Sequence, residues 1–540
     1  MSKLIYKNGL FILPSHGVEA RSEIESISGF KYSKKLGWNT TNPLTAFSLR
    51  HLADDKVKDI FQKSLIIHRR WREAVIVPDD ESTLPHQIPA ALFSLNRNRS
   101  YLALAPGLGK TIVAALIAAS IGQRVLYICP PSLTINTLNE FKRWAPSLKT
   151  GILGSADWNV PDVLIVPDSM IHDVSVRYYI KFFKPRVMFV DEAHRLSNPK
   201  SRRSEAFYGY YTKVKKERKY WPGIVDRNLL NLTYLSGTPS DGRPIELYSI
   251  LKKSAPQYMD FVSYHKYGMK YCAGYMKLND YQHTKTYGKP MGLDFSGCSE
   301  KPFKELVNKF RTHDAKDKKA FMLRQNKEIL GLPPLTETVL FLSEDMPREL
   351  RSMDNTMVKK YSPKDLIKYS MAQSVGKEAH DLHIAEYRKL LGIHKVKPAA
   401  KYYREVLEDT DEKIILSAYH KPVLYLLGEL FADYDPFIID GSTSTVTKTN
   451  MVNDFQKRKK KRLILLNYVA GGLGLTLTEA NRIGLIEYAW GPNANRQIID
   501  RGHRYTLKHP FLAQYCIFQN SLDAHTFSVN DKKRRITSFI

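Results

Sequence analysis

Two segments of this chain bring together the residue types that phosphate chemistry needs. Leu104-Ala105-Pro106-Gly107-Leu108-Gly109-Lys110-Thr111 is a glycine-rich turn ending in Lys-Thr, and it runs straight into the apolar stretch 112–121. Glycines let a backbone wrap closely around a phosphate, while the start of the next helix offers free N–H groups and a positive dipole end. In such a turn Pro106, Gly107, Leu108 and Gly109 line the phosphates, Lys110 reaches the β- and γ-phosphates of ATP, and the Thr111 hydroxyl holds Mg2+. The full pattern has a glycine five places before Gly109, where Leu104 stands here.

The second segment places Asp191 80 residues after Thr111. Val187-Met188-Phe189-Val190 reads as a strand buried in a parallel sheet, and it delivers Asp191-Glu192-Ala193-His194 at its C-terminal end. Open α/β sheets collect their ligands at that end. Asp191 suits holding the metal through water, and Glu192 suits orienting or deprotonating the attacking water. An acidic pair after a strand is elsewhere a solvated loop; behind a phosphate turn the catalytic reading takes precedence.

The elements around these segments follow from periodicity. Apolar strands are expected at 124–129, 163–166 and 187–190, and again at 414–416, 436–439, 463–467 and 482–487, with helical stretches between them. This is the alternation of parallel sheets flanked by helices. Residues 76–255 and 401–540 then form two α/β lobes. Residues 1–75 form a small N-terminal domain, with strands at 6–13 and 30–38. The Tyr-, Lys- and Gly-rich 256–345 reads as an insertion, and 346–400 as a helical linker in which Lys397-Pro398 opens a new helix. Arg501 and Arg504 are spaced i,i+3, so a helix would set both on one face, from which they would supply charge to a γ-phosphate held by the other lobe.

Together these motifs resemble the superfamily 2 helicases and translocases. Leu235-Ser236-Gly237-Thr238-Pro239 resembles the segment that couples ATP state to nucleic-acid grip, and Gln87 in Leu84-Pro85-His86-Gln87 the upstream glutamine that reads adenine. Ala470-Gly471-Gly472-Leu473-Gly474-Leu475-Thr476, then Trp490-Gly491-Pro492, then Gln497-Ile498-Ile499-Asp500-Arg501-Gly502-His503-Arg504 resemble the Swi/Snf-type branch. The resemblance implies two RecA-like lobes and adds Gln497 to the nucleotide-facing residues. It makes Ser132, Ser236, Thr238, Thr443, Gly471 and Trp490 candidates for DNA contact. After Arg504 the family continues Ile-Gly-Gln, whereas this chain has Tyr505-Thr506-Leu507.

A narrower likeness is to the HARP-type annealing helicases. Tyr271-Cys272, Gly292-Leu293-Asp294-Phe295-Ser296-Gly297-Cys298-Ser299 and Phe321-Met322-Leu323-Arg324 resemble that subgroup's insertion, and Ile439-Asp440-Gly441-Ser442-Thr443 its second-lobe motifs. Phe30, Lys31, Tyr32 and Trp38 resemble its fork-recognising module.

Composition bounds the reading independently. Lys+Arg number 82 against 54 Asp+Glu, a net charge of +28. Such a surplus favours a polyanionic partner, because each neutralised phosphate releases condensed counterion. No lipidation motif, secretory leader or bilayer-length apolar stretch is present. Four cysteines without a C-x-x-C pair point to a reducing compartment. An intracellular setting is expected: cytoplasm or nucleus, or host cytoplasm for a viral chain. Of the basic runs, 457–462 reads as a solvated helix end or turn, 213–221 as a flexible loop with aromatics among its cations, and 532–535 as a mobile tail.

The expected activity is that of an ATP- and Mg2+-dependent translocase, monomeric on duplex, forked or branched DNA, which reanneals forks or migrates junctions. One alternative keeps the motor but has it displace polymerase or another bound protein. Another, of a different class, is a non-motor junction-binding scaffold with a nucleotide switch.

Overall fold

The computed structural model describes residues 4–7, 10–13, 31–33, 37–40, 55, 57, 75–79, 81–154, 160–214, 217–226, 229–260, 263–278, 290–342, 346, 348, 350–354, 382–468, 475–519 and 521–540. Among them, two parallel sheets flanked by helices build two α/β lobes. The first sheet runs, edge to edge, Arg311–Thr312, Met322–Gln325, Arg99–Leu104, Asn231–Leu235, Val187–Val190, Val125–Cys129, Val163–Pro167 and Thr150–Ile152. The second runs Leu335–Phe341, Phe511–Ile517, Arg482–Leu485, Ile414–Ala418, Leu463–Asn467 and Phe437–Ile439.

Helices cover both faces of each sheet, so its inner strands are apolar without alternation. Every residue of Val125–Cys129 and of Leu463–Asn467 is buried. On one face of the first sheet Phe93, Ile117 and Phe141 pack together; on the other lie Ile180, Phe207, Leu251 and Phe310. Tyr387, Tyr403 and Leu424 cover one face of the second sheet, and Phe455 and Ile498 the other.

Several expectations need correction. The stretch 256–345 is an insertion only in part: Arg311–Thr312 and Met322–Gln325 are edge strands of the first sheet, and Leu335–Phe341 belongs to the second. The chain therefore crosses between lobes at 326–334, not at 346–400. Pro398 does not open a helix but lies inside one, Leu382–Asp409. That helix packs against the second sheet through Tyr387, Leu391, Tyr403 and Leu407, and this burial outweighs the local cost of the proline. The flexible loop expected at 213–221 belongs to an antiparallel hairpin, Tyr210–Val214 with Glu217–Trp221.

The expected tail at 532–535 lies in the helix Leu522–Thr537. Beyond that helix the chain enters the other lobe: Ile540 is buried in the first lobe's core, with Ile536 and Phe539 packed beside it. Arg311 Nη1 donates to the Phe539 carbonyl at 2.9 Å.

Near the N-terminus, Ile5–Lys7, Leu10–Leu13, Gly37–Thr40 and Lys31–Ser33 form an antiparallel sheet in that order. Tyr32 and Trp38 are cross-strand partners in it, while Phe30 lies outside the described residues. No helix among the described residues is long and apolar enough to cross a membrane.

Candidate active site

The glycine-rich turn connects the strand Arg99–Leu104 to the helix Lys110–Ile121. Gly107 and Gly109 hold φ of 89° and 74°, a left-handed backbone that only glycine adopts without strain. A Cβ on Gly109 would also collide with the Gln87 amide. Gln87 is buried, accepts from the Leu84 N–H at 2.9 Å and donates to the Leu108 carbonyl at 3.4 Å. His86 Nε2 lies 2.8 Å from the same carbonyl. Pro106 packs against Gly237, where a Cβ would stand 2.8 Å from Pro106 Cδ. The turn is thus braced from both sides with its N–H groups at the head of the helix.

Asp191 and Glu192 follow the strand Val187–Val190, which the strand Asn231–Leu235 separates from Arg99–Leu104 in the sheet. Asp191 accepts from the Tyr127 hydroxyl at 3.1 Å and from the Glu192 N–H at 2.9 Å. Burial, followed by the Glu192 charge, pushes the Asp191 carboxyl up to about 6, against the pull of Lys110. Thr111 lies within electrostatic reach of the same phenol, so Tyr127 stands near both residues expected to hold Mg2+. Sequence reasoning missed Tyr127; its only signal is a hydroxyl in the middle of the apolar run Val125–Cys129.

Glu192 adopts φ 47° and ψ 49°, rare for a residue with a side chain. Strain of this kind persists where the surroundings over-determine it, and it concentrates at functional sites. Its carboxylate lies 3.3 Å from His194 Nδ1, which is 3.0 Å from Ser236 Oγ. Ser236 Oγ in turn accepts from the Thr238 N–H at 3.1 Å. Arg324, from the edge strand Met322–Gln325, donates to the Gly237 carbonyl at 3.0 Å. A continuous polar path therefore joins the Glu192 carboxylate to the 236–238 turn.

The second lobe closes the site. The helix Pro492–Ile499 carries Gln497, but Arg501 and Arg504 lie in the turns after it. The helical face expected for the arginine pair is absent because the helix stops, yet both side chains still face the first lobe. Arg504 Nε lies 3.9 Å from where a Cβ on Gly107 would stand, and Nη1 donates to the Leu475 carbonyl at 3.0 Å and Thr476 Oγ1 at 2.8 Å. Arg501 lies within electrostatic reach of Glu192; burial lowers it to about 10, Arg504 acting the same way and Asp500 and Glu192 opposing. Its Nε is buried with no hydrogen-bond partner among the described residues. The glycine turn with Lys110, and the unpartnered Arg501 guanidinium nitrogen facing it from the other lobe, fit a polyphosphate, and the Thr111 hydroxyl and Asp191 carboxylate would suit its Mg2+. With such a ligand bound, the metal would neutralise phosphate charge, Glu192 would orient water, and Arg501 and Arg504 would stabilise charge developing on the γ-phosphate.

The residues expected to contact DNA fall into different settings. Ser132 is exposed in the turn Pro131–Leu133, and Thr443 is half-buried. Ser236 and Thr238 are buried, with the Ser236 hydroxyl committed to the path just described. Trp490 is 4% exposed, with the Arg388 guanidinium 4.7 Å from its ring centre. Gly471 lies outside the described residues. Of the basic run 457–462, Arg458 pairs with Asp454, Lys461 with Asp435, and Arg462 bonds the Thr410 and Leu407 carbonyls.

Two domain families match the chain. Residues 398–506 match the helicase conserved C-terminal domain, and residues 69–221 match the type III restriction enzyme, res subunit. The chain is 25% identical over 491 residues to the SWI/SNF-related matrix-associated actin-dependent regulator of chromatin subfamily A-like protein 1 of Xenopus tropicalis, covering 88% of this chain and 47% of that one. It is 25% identical over 498 residues to the DNA annealing helicase and endonuclease ZRANB3 of Mus musculus, covering 88% and 42%. The chain thus spans about half the length of the curated relatives it matches. Among solved structures, the Sulfolobus solfataricus SWI2/SNF2 ATPase core in complex with dsDNA is 17% identical, with 85% of this chain and 93% of that chain covered at a TM-score of 0.37.

Proposed function

Because this chain is a Swi/Snf-type superfamily 2 helicase related to the HARP-type annealing subgroup, we propose that it hydrolyses ATP, with Mg2+, to translocate on DNA and remodel forked or branched junctions. The observation that carries the motor reading is the meeting of Arg501 and Arg504 with Glu192 and Gly107 across the cleft. Hydrolysis that needs charge from the opposite lobe occurs only when the lobes close, and that condition turns chemistry into movement. A scaffold with a nucleotide switch has no need of such an arrangement.

Junction preference draws its support from the named relatives and from the surplus of 28 positive charges. The test is ATP turnover on single-stranded, duplex, forked and four-way DNA of equal length, with strand products followed on the fork. Turnover should be highest on branched DNA, and the fork should reanneal. Equal turnover on linear and branched duplex would discard the junction reading but keep the motor. No stimulation by any DNA would discard both. We further propose the sheet near the N-terminus, with Lys31, Tyr32 and Trp38, as the junction-selecting part. A chain beginning at Val75 should then keep duplex-stimulated turnover and lose branch selection, with its melting curve reporting that it folds.

A further inference from the structure

The hairpin Tyr210–Val214 with Glu217–Trp221 has no part in the nucleotide chemistry. It stands between the helix Arg202–Tyr208 and the strand Asn231–Leu235, so it grows from the first lobe between the carboxylate pair and the 236–238 turn. Its register pairs Tyr210 with Trp221 and Tyr211 with Tyr220, and adjacent pairs project to opposite faces of a two-stranded ribbon. Each face therefore carries one aromatic pair. Tyr210 and Trp221 stack at 6.5 Å with planes 20° apart, and Tyr211 lies 4.8 Å from Tyr220. Tyr211 is 64% exposed and Trp221 41%. Large rings left this open on a narrow ribbon are not core.

Two further observations specify what the ribbon fits. From 210 to 221 the sequence holds five cations, Lys213, Lys215, Lys216, Arg218 and Lys219, against the single acid Glu217. The base of the ribbon is also fixed: Lys253 Nζ donates to the Tyr220 hydroxyl at 2.6 Å and lies 5.0 Å from its ring centre, and Trp221 Nε1 donates to Thr212 Oγ1 at 2.9 Å. A pre-ordered aromatic ribbon in so basic a stretch of sequence suits a polyanion that offers flat faces. Unpaired bases offer them along their length, whereas a duplex hides all but its terminal faces inside the stack.

We propose that this hairpin is an accessory binding site for single-stranded nucleic acid, with Tyr211 and Trp221 stacking on bases and the positive charge of this stretch of sequence favouring phosphates. It rests on the reading of the chain as a DNA motor and gives that motor a hold on an unpaired arm while the lobes track duplex.

The test uses the full chain and a labelled oligo-dT. Tyr211→Ala with Trp221→Ala should weaken oligo-dT binding by about tenfold or more, while Tyr211→Phe binds like the parent. Lys213→Gln with Arg218→Gln should lower the slope of log K against log salt by about 0.7 for each phosphate that is no longer neutralised. Duplex-stimulated ATP turnover should stay at the parent level in every variant, which also reports that each one folds. Oligo-dT affinity unchanged in the double-alanine chain overturns the proposal, as does an equal loss on blunt duplex. A parent without DNA-stimulated turnover overturns the underlying motor reading instead, so the two failures are told apart.

Discussion

Lys327 Nζ lies 2.6 Å from Asp500 Oδ1, and both side chains are buried. Lys327 belongs to the crossover between the lobes, and Asp500 directly precedes Arg501. Lys327 also donates to the His503 carbonyl, and His503 Nε2 lies 2.9 Å from the Pro333 carbonyl. The crossover is thereby fastened to the turn that carries both arginines. Lys327→Met would leave the buried Asp500 carboxylate with Arg496, whose Nε lies 3.0 Å away, as its remaining cation, at a cost of about 1–3 kcal/mol. The expected result is a lower melting temperature together with a fall in turnover larger than the fall in nucleotide affinity, read by calorimetry and steady-state kinetics.

The same pair sets a pH dependence. Burial lowers the Lys327 ammonium to about 8, Asp500 opposing. Turnover should decline as pH rises through about 8, when Asp500 loses the Lys327 charge and keeps Arg496 alone. Lys327→Arg, which keeps its charge, should shift or remove that decline. Stability moves the opposite way. The unfolded chain holds this proton to its ordinary value near 10.5 while the folded chain releases it from about 8, so this group's contribution to stability rises over that interval. A turnover profile identical in the parent and Lys327→Arg rules the pair out as its source.

Lys110→Ala should abolish turnover, since the γ-phosphate loses its nearest fixed cation. Glu192→Gln should retain nucleotide binding and lose about 10²–10⁴ in turnover, the usual worth of a general base. Single-turnover hydrolysis beside a binding titration separates the two effects. Parent-like hydrolysis by the Glu192→Gln chain would show that another group handles the water.

Arg501→Ala and Arg504→Ala should each reduce turnover by about 10³ or more while changing ATP affinity far less. The double variant should lose little beyond either single one, because both charges serve one transition state. Full additivity would assign the two arginines to separate steps.

In the second lobe, Asp440 accepts from Lys421 Nζ at 2.8 Å, the Tyr425 hydroxyl at 2.7 Å, the Ser442 hydroxyl at 2.6 Å and the Thr443 hydroxyl at 3.2 Å. These donors, Lys421 first and Ser442 next, hold its carboxyl well below the usual carboxylate range. A depressed folded value gives stability that is present above about 4 and lost as pH falls below it. Asp440→Asn should cost about 1–3 kcal/mol at neutral pH. Acid titration of the melting temperature should show the gap between parent and variant narrowing below about pH 4.

What the sequence made legible was local. The phosphate turn, the Asp191-Glu192 pair and the strands Val187–Val190 and Leu463–Asn467 each announce themselves within a dozen residues, by glycine spacing or an unbroken apolar run. What it concealed depends on partners far away along the chain. Met322–Gln325 joins the first sheet because it pairs with Arg99–Leu104, more than two hundred residues earlier. Pro398 is tolerated because its helix buries tyrosines against the second sheet. Arg501 and Arg504 reach the cleft from turns, where i,i+3 spacing predicts nothing. Tyr127 and Lys327 went unread because a lone tyrosine in a strand and a lone lysine in a loop are ordinary until a buried carboxylate stands beside them.

The burial of Ile540 in the first lobe's core has a consequence for how the protein is made. A ribosome delivers the whole second lobe before it delivers the residues that complete the packing of the first. The first lobe must therefore wait on the nascent chain with part of its core open to water, and its closure depends on pairings of very high sequence separation. Final consolidation of the first lobe thus waits until residues 536–540 have left the ribosome. A chain stalled shortly before its last helix would present an apolar gap in the first lobe to chaperones and proteases.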